Sequence, residues 1–280
     1  MIFLLLTIIC SSSIALILKF NAARKGNTVV MLTGNYFIAS IIGAALILVK
    51  GNVLFSFEAL IFGLILGVMF IISFFIFAKA VELAGTALAT VSSRLSVFIP
   101  VFLVTVFFGE IPETKTYLGF LLTALTIVLF YSSLNNKKSN VTEIKKYFYL
   151  ISVLIFIGIN DFGIKFFQLL RSSGEENFFV YMIFTTAFVT GIIVIIFRKI
   201  KIHKKELYTG FLLGIPNVFS TIFLLGALSS LPAMIVFPVM NIGVILITTI
   251  AAYLIWKETL NKFGVAAVIV GAAAILLLWL

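Results

Sequence analysis

Long runs of apolar residues alternate with short polar segments along the whole chain. A bilayer hydrocarbon core about 30 Å thick needs roughly 20 apolar residues per helical crossing, so runs of this length predict transmembrane helices. Ten such runs are present. In chain order, the predicted spans are 2–23, 29–49, 57–78, 86–108, 116–134, 147–170, 178–197, 207–228, 232–255 and 263–280. Several connections are only a few residues long, so neighbouring helices are expected to run antiparallel.

The composition agrees with a chain that lies almost entirely in lipid. Hydrophobic residues make up 62% of the 280 and charged residues 11%, whereas soluble domains carry about 25% charge. In a bilayer only helices and closed barrels satisfy every backbone group, and the runs lack the alternation of barrel strands. We therefore predict an all-α, polytopic membrane protein. The run 2–18 has no basic start and no small-residue cleavage site, so we interpret it as a retained helix.

The net charge of +10 is concentrated in every second loop. Fifteen basic residues lie in or beside the odd-numbered loops, and three lie in the even-numbered loops. Because cytoplasmic loops carry the excess of lysine and arginine, we expect the odd-numbered loops to be cytoplasmic and both termini to be extracytoplasmic in the cell membrane. This distribution argues against a nucleic-acid partner and leaves the oligomeric state open.

Cysteine and histidine are scarce. The single cysteine, Cys10, lies in the first span, and the single histidine, His203, lies among lysines in a loop. We therefore expect no disulfide framework, no metal site and no cofactor. No nucleotide-binding loop of the Gly-x-x-x-x-Gly-Lys kind is present, so any transport must draw on a gradient or on the substrate itself.

The two halves of the chain resemble each other, which divides it into residues 1–134, a basic linker at 135–146, and residues 147–280. A shift of 146 residues superposes Lys19 on Lys165. Five spans per half is an odd number, so the second half must insert upside down relative to the first. Inverted repeats with the binding site at the midplane between them are a recurring architecture of secondary transporters.

Motifs at matching places in the halves strengthen this interpretation. In the first half the third span closes with Ala78-Lys79-Ala80, and a stretch from Gly85-Thr86-Ala87-Leu88-Ala89 passes through Pro100 to Phe108-Gly109-Glu110. In the second half the matching stretch runs from Leu225-Gly226-Ala227 through Pro238 to Lys257-Glu258. With the lysine that ends the first span, these motifs resemble the EamA-type, ten-helix members of the drug/metabolite transporter superfamily.

The resemblance covers essentially the whole chain. It implies a 5+5 inverted repeat, a central cavity surrounded by spans one, three, four, six, eight and nine, and transport of small metabolites. The tryptophan-glycine pair often found early in the family's first span is replaced here by Ser11-Ser12-Ser13. The family's arrangement, with both termini inside, is also opposite to the one that the charges predict.

Three charged residues lie well inside predicted spans: Arg94, Asp161 and Lys165. Arg94 is about 12 Å into the fourth span, where a charge costs at least about 2.5 kcal/mol. It is expected either to bind a substrate carboxylate or phosphate bidentately or to pair with Asp161. Asp161 either pairs with Lys165 one turn later, clamps a substrate amine, or carries a proton. Lys19, near a helix end, is expected to snorkel or to contact substrate.

Polar residues within the spans could also line a cavity and contact substrate: Asn35, Tyr36, Asn160, Asn217 and Asn241. Interhelical hydrogen bonding is the commoner role of such residues. Three prolines are expected to kink the fourth, eighth and ninth spans: Pro100, Pro216 and Pro238.

These features favour a secondary transporter of a small metabolite, such as an amino acid or another amphoteric solute, over an enzyme. A flippase for an anionic lipid head group would share the fold and also use Arg94. An intramembrane enzyme acting on a lipid would need a nucleophile, a metal cluster or an acid pair, and no such motif occurs within the spans. The expected partners are a small-molecule substrate and the lipid bilayer, with proton coupling through Asp161 as an open alternative.

Overall fold

The computed structural model describes residues 1–24, 26–50, 55–84, 86–109, 114–133, 143–170, 174–256 and 261–279. All regular structure in these residues is α-helical, as predicted. The helices are α1 (Ile2–Ala23), α2 (Thr28–Lys50), α3 (Phe57–Ala84), α4 (Thr86–Leu95), α5 (Phe98–Phe108), α6 (Thr114–Ser133), α7 (Glu143–Leu170), α8 (Glu176–Phe197), α9 (Lys204–Leu228), α10 (Ala233–Trp256) and α11 (Lys262–Trp279).

Seven of these helices are long and apolar enough to cross a bilayer: α1, α2, α3, α7, α8, α9 and α10. The protein is therefore a multi-pass membrane protein. The fourth, fifth and tenth predicted spans contain shorter apolar helical segments, at Ser92–Phe108, Tyr117–Leu129 and Lys262–Leu277. The full count of ten crossings stays a prediction.

The fourth predicted span is divided into two helices, because α4 ends at Leu95 and α5 begins at Phe98. Pro100 explains the division: it has no N–H to donate to the carbonyl of Ser96, and its ring would collide with that carbonyl. The Ser96 carbonyl accepts instead from the Ile99 amide at 3.0 Å. Pro216 and Pro238 lie inside the continuous helices α9 and α10. Of the three prolines, only Pro100 accompanies an interruption of the helix.

The chain forms two compact units, each built from two stretches of sequence. Unit 1 consists of residues 1–75 and 163–229, and unit 2 consists of residues 76–162 and 230–280. Each unit thus draws on both halves of the sequence. The division into repeats at 1–134 and 147–280 is a different one and stays a prediction.

In unit 1 the helices α2 and α9 approach each other at the level of their backbones. Gly210 faces the Met31 carbonyl oxygen so closely that a Cβ atom there would overlap it. A Cβ atom on Gly214 would lie 2.6 Å from the Asn35 carbonyl oxygen. Gly210 and Gly214 form a Gly-x-x-x-Gly pair on one face of α9, the pattern that lets membrane helices pack without side chains between them.

Unit 2 has two comparable close contacts. Gly158 of α7 faces the break between α4 and α5, where an added Cβ atom would lie 2.9 Å from the Ser96 carbonyl oxygen. Gly271 of α11 packs against Ile242 of α10 and Thr126 of α6, with added-Cβ distances of 3.0 Å to each. Small residues therefore fix the approach of α7 to the broken helix.

The close approach of α2 and α9 predicts that a larger residue at Gly210 destabilises the protein. Gly210→Ala should force the two backbones apart and lower the free energy of unfolding by about 1–3 kcal/mol, the usual cost of overpacking. Leu212→Ala is the matched control, because Leu212 lies on the same helix with its side chain 58% exposed. Thermal unfolding of the detergent-solubilised protein measures both. Equal midpoints for the two variants would show that the interface yields without cost.

Candidate functional site

Arg94 is the penultimate residue of α4, which ends at Leu95. Its Nη1 atom donates to Oδ1 of Asn241 on α10 at 3.0 Å. Its Nε atom is buried and has no hydrogen-bond partner among the described residues. A buried donor without a partner costs free energy, so its presence in the structure needs an explanation.

Asn241 uses both ends of its amide. Its oxygen accepts from Arg94, and its Nδ2 donates to the carbonyl of Phe237, one turn earlier on α10, at 3.0 Å. The side chain is 2% exposed. The amide is therefore held by its own helix and fixes one corner of the Arg94 guanidinium.

Asp161 of α7 completes the charged group in unit 2. Its carboxylate interacts electrostatically with Arg94. Gly158 lies one turn before Asp161 and contacts the Ser96 carbonyl oxygen at the helix break, which brings this part of α7 against the end of α4. Asn160, the neighbour of Asp161, is buried, at 6% exposure. A cation and an acid that are 67 residues apart in sequence thus share one unit.

The geometry of the guanidinium determines what it can bind. With Nη1 directed at Asn241, Nε and Nη2 form the remaining edge of the planar group. Two parallel N–H groups on such an edge match the two oxygens of a carboxylate or of a phosphate. The arrangement can hold one oxyanion at Arg94 and one cationic group at Asp161.

Five of the candidate residues belong to unit 1, and four of these are buried. Asn217 Nδ2 donates to Oδ1 of Asn35 at 3.0 Å, which joins α9 to α2. Tyr36 is fully buried, with its ring centroid 6.2 Å from those of Phe74 and Phe184. The amide pair acts as an interhelical hydrogen bond, the commoner role expected of such residues.

Lys165 is also buried in unit 1, at 3% exposure. Its Nζ donates to Oε1 of Gln168 at 3.1 Å and to the carbonyl of Leu228 at 3.4 Å. Leu228 is the last residue of α9, and a cation there is stabilised by the negative end of the helix dipole. These contacts give Lys165 a structural task. Lys19, near the end of α1, is partly buried.

The sequence alone does not reveal that Arg94 pairs with Asn241 or that Asn217 pairs with Asn35. The members of these pairs are 147 and 182 residues apart, and no local pattern connects them. The described residues contain no group of three or more His, Cys, Asp or Glu side chains that could hold a metal ion.

Comparisons with known proteins cover nearly the whole chain. No protein-family model matches it. It is 28% identical over 289 residues to an uncharacterized protein of Haemophilus influenzae, with 99% of this chain and 97% of that protein covered. It is also similar to a solved crystal structure with a TM-score of 0.80 at 13% identity, over 99% of this chain and 94% of the other. The structural similarity concerns the fold alone.

The contact between Arg94 and Asn241 makes a second stability prediction. Asn241→Ala removes the acceptor from Nη1 and leaves a partly buried charged donor without this partner, so it should lower the free energy of unfolding by about 1–3 kcal/mol. Thr248→Ala is the control on the same helix, because the Thr248 hydroxyl bonds only to carbonyls of its own helix. Denaturant unfolding in detergent measures both. A midpoint for Asn241→Ala equal to that of Thr248→Ala would contradict the assignment.

Proposed function

We propose that the protein is a secondary transporter that moves a small metabolite across the cell membrane by alternating access. An amino acid or another small amphoteric solute is the favoured substrate. The observation that carries the proposal is the Arg94 guanidinium, oriented by Asn241, with a buried Nε that has no partner among the described residues.

Energetic cost supports a functional role for Arg94. A charge within a membrane helix costs at least about 2.5 kcal/mol, and such residues commonly mark substrate pathways. A substrate carboxylate would supply the acceptor that Nε lacks, and a substrate amine would neutralise Asp161. A zwitterion meets both requirements in one molecule.

The architecture is consistent with this function. We propose ten crossings, counting α4 and α5 as one broken span and including α6 and α11, in the inverted 5+5 arrangement of EamA-type transporters. Discontinuous helices whose ends lie beside the substrate are a recurring feature of secondary transporters. Here the break directly follows Arg94. Asp161 is the proposed carrier of a proton if transport is coupled to a proton gradient.

Mutation separates the substrate-binding role from a purely structural ion pair. In proteoliposomes loaded against a panel of labelled amino acids, Arg94→Gln and Asp161→Asn should each lower kcat/KM for the transported solute by about 10- to 100-fold, because each removes charge-assisted hydrogen bonds of about 1.5–3 kcal/mol. Arg198→Gln removes the same group from an exposed position at the end of α8, so it should transport like the wild type.

Two results would contradict the proposal. Full transport by a stable Arg94→Gln protein would remove Arg94 from the mechanism. Destabilisation by each single change, with recovery when the two charges are exchanged, would assign the pair to structure, since breaking a buried pair strands one charge. Movement of labelled anionic phospholipid, with no solute uptake, would favour the flippase.

The sidedness of the chain is part of the proposal, and two contacts in unit 1 agree with the grouping of loops that it assumes. The backbone N–H of Asn27, before α2, donates to Oε1 of Glu206 in the first turn of α9 at 2.7 Å. Ser56, before α3, donates to Glu175, before α8, at 3.2 Å. The first contact joins loops one and seven and the second joins loops two and six, so in unit 1 the two loops of each pair, which share the same parity, meet at the same end. The charges alone indicate which end is cytoplasmic.

Reporter fusions test this orientation. A reporter fused after Leu280 should behave as extracytoplasmic, and one inserted near Lys201 should behave as cytoplasmic, because fifteen of the basic residues lie in or beside the odd-numbered loops. Alkaline phosphatase and green fluorescent protein report the two compartments. Reversed signals at both sites would establish the opposite orientation, with both termini inside.

A further inference from the structure

A cavity of about 610 Å³ lies along α5 in unit 2, and the mechanism proposed above does not use it. Its lining includes Phe98, Phe102 and Thr105 of α5, Tyr117 and Phe120 of α6, and Met234 of α10. We call it the α5 groove. Its chemistry differs from that of the Arg94 site, because the lining that the described residues form contains no charged side chain.

The lining requires an apolar occupant. Only Thr105 and Tyr117 carry polar side-chain atoms, and the Thr105 hydroxyl donates to the Val101 carbonyl of its own helix at 2.9 Å. Aromatic rings form much of the wall, and Phe98 and Phe120 meet edge to face with their centroids 4.7 Å apart. A polar ligand would lose its hydration here without gaining hydrogen bonds.

The groove opens toward the side of the helices that lipid covers. Phe102 is 65% exposed and Tyr117 is 53% exposed. Neighbouring positions on α6 form an exposed apolar stripe: Leu118, Leu121, Leu125 and Val128, at 46–64% exposure. Such a stripe in a membrane protein faces hydrocarbon and not water.

The position and length of the groove identify the occupant. Thr105 and Tyr117 are the lining residues nearest to the polar connection between α5 and α6, where a tyrosine is typical of the membrane interface. From Thr105 to Phe98 the groove extends inward by about 10 Å along α5. This length fits within one leaflet, since the whole hydrocarbon core is about 30 Å thick. A transmembrane helix of a partner would need a longer face.

We propose that the α5 groove holds one acyl chain of a membrane phospholipid, with the head group beside Tyr117. The site requires only that α5 and α6 lie in the bilayer, and it is independent of the transported solute. Burial of methylene groups against the aromatic wall supplies the affinity.

Native mass spectrometry tests the site in the full-length protein. After reconstitution in vesicles of phosphatidylethanolamine and phosphatidylglycerol and extraction in mild detergent, the wild type should retain one phospholipid. Thr105→Phe places a ring in the groove and should lower retention about tenfold or more, because several methylenes lose their contacts. Val106→Phe is the control: Val106 is the next residue of α5, 59% exposed and outside the lining.

A second measurement needs no variant. A phospholipid with a photoreactive diazirine in its acyl chain should label peptides covering residues 98–120 of the wild type more strongly than the exposed end of α2 at Leu48 and Val49. Absence of retained phospholipid, equal retention by Thr105→Phe and Val106→Phe, or uniform labelling would each overturn the proposal. If the wild type were a dimer and Thr105→Phe made it monomeric, a second copy of the chain would be the occupant of the groove, and the proposal would be overturned.

Discussion

Pro100 leaves the Ser96 carbonyl without its usual helical donor, and in a bilayer no water is available to replace it. The chain responds by ending α4 and starting α5 three residues later, with a local hydrogen bond from Ile99 to Ser96. Gly158 then allows α7 to come against the Ser96 carbonyl. The position of Asp161 beside Arg94 depends on this break, because Asp161 lies one turn beyond Gly158.

Lys165 and Arg94 differ in the hydrogen bonds that their cationic groups make. Lys165 in unit 1 donates to Gln168 and to the end of α9, so its charge stabilises a helix terminus. Arg94 in unit 2 donates from Nη1 to Asn241, and its Nε has no partner among the described residues. A lysine would not replace it, because an ammonium is a point charge without a planar edge. The Nε of Arg94 is one of several buried polar atoms without a partner among the described residues, with Tyr36 Oη and Asn35 Nδ2 among the others. Its charge and its planar donor edge, together with the missing partner, make Arg94 the candidate binding residue.

The helices were predictable from the sequence, since length and apolarity of a run are local properties: the first span was expected at 2–23, and α1 is Ile2–Ala23. A disturbance of the helix at Pro100 was also predictable, because proline disrupts the backbone hydrogen bonds of its own helix. The kink expected there is a division into α4 and α5. Pro216 and Pro238 lie inside the continuous helices α9 and α10. Proline is tolerated within membrane helices because other groups can satisfy the carbonyl that it frees. The Arg94–Asn241 contact was not predictable, because which side chains meet depends on helix packing and not on spacing along the chain.

The discontinuity of unit 1 has a consequence for biogenesis. The first stretch of unit 1 ends at Phe75, and the second begins at Gly163. The ribosome must therefore make the intervening 87 residues before any of the second stretch exists. During that interval α2 carries Asn35 and the backbone face that later receives Gly210 and Gly214, but α9 has not yet been synthesised. Until α9 is made, the Asn35 side chain lacks its partner Asn217. A temporary partner, such as a neighbouring helix or the insertion machinery, is expected to shield it from lipid. Assembly of this protein is therefore expected to be largely post-insertional, and variants that slow the emergence of α9 prolong the exposure of α2.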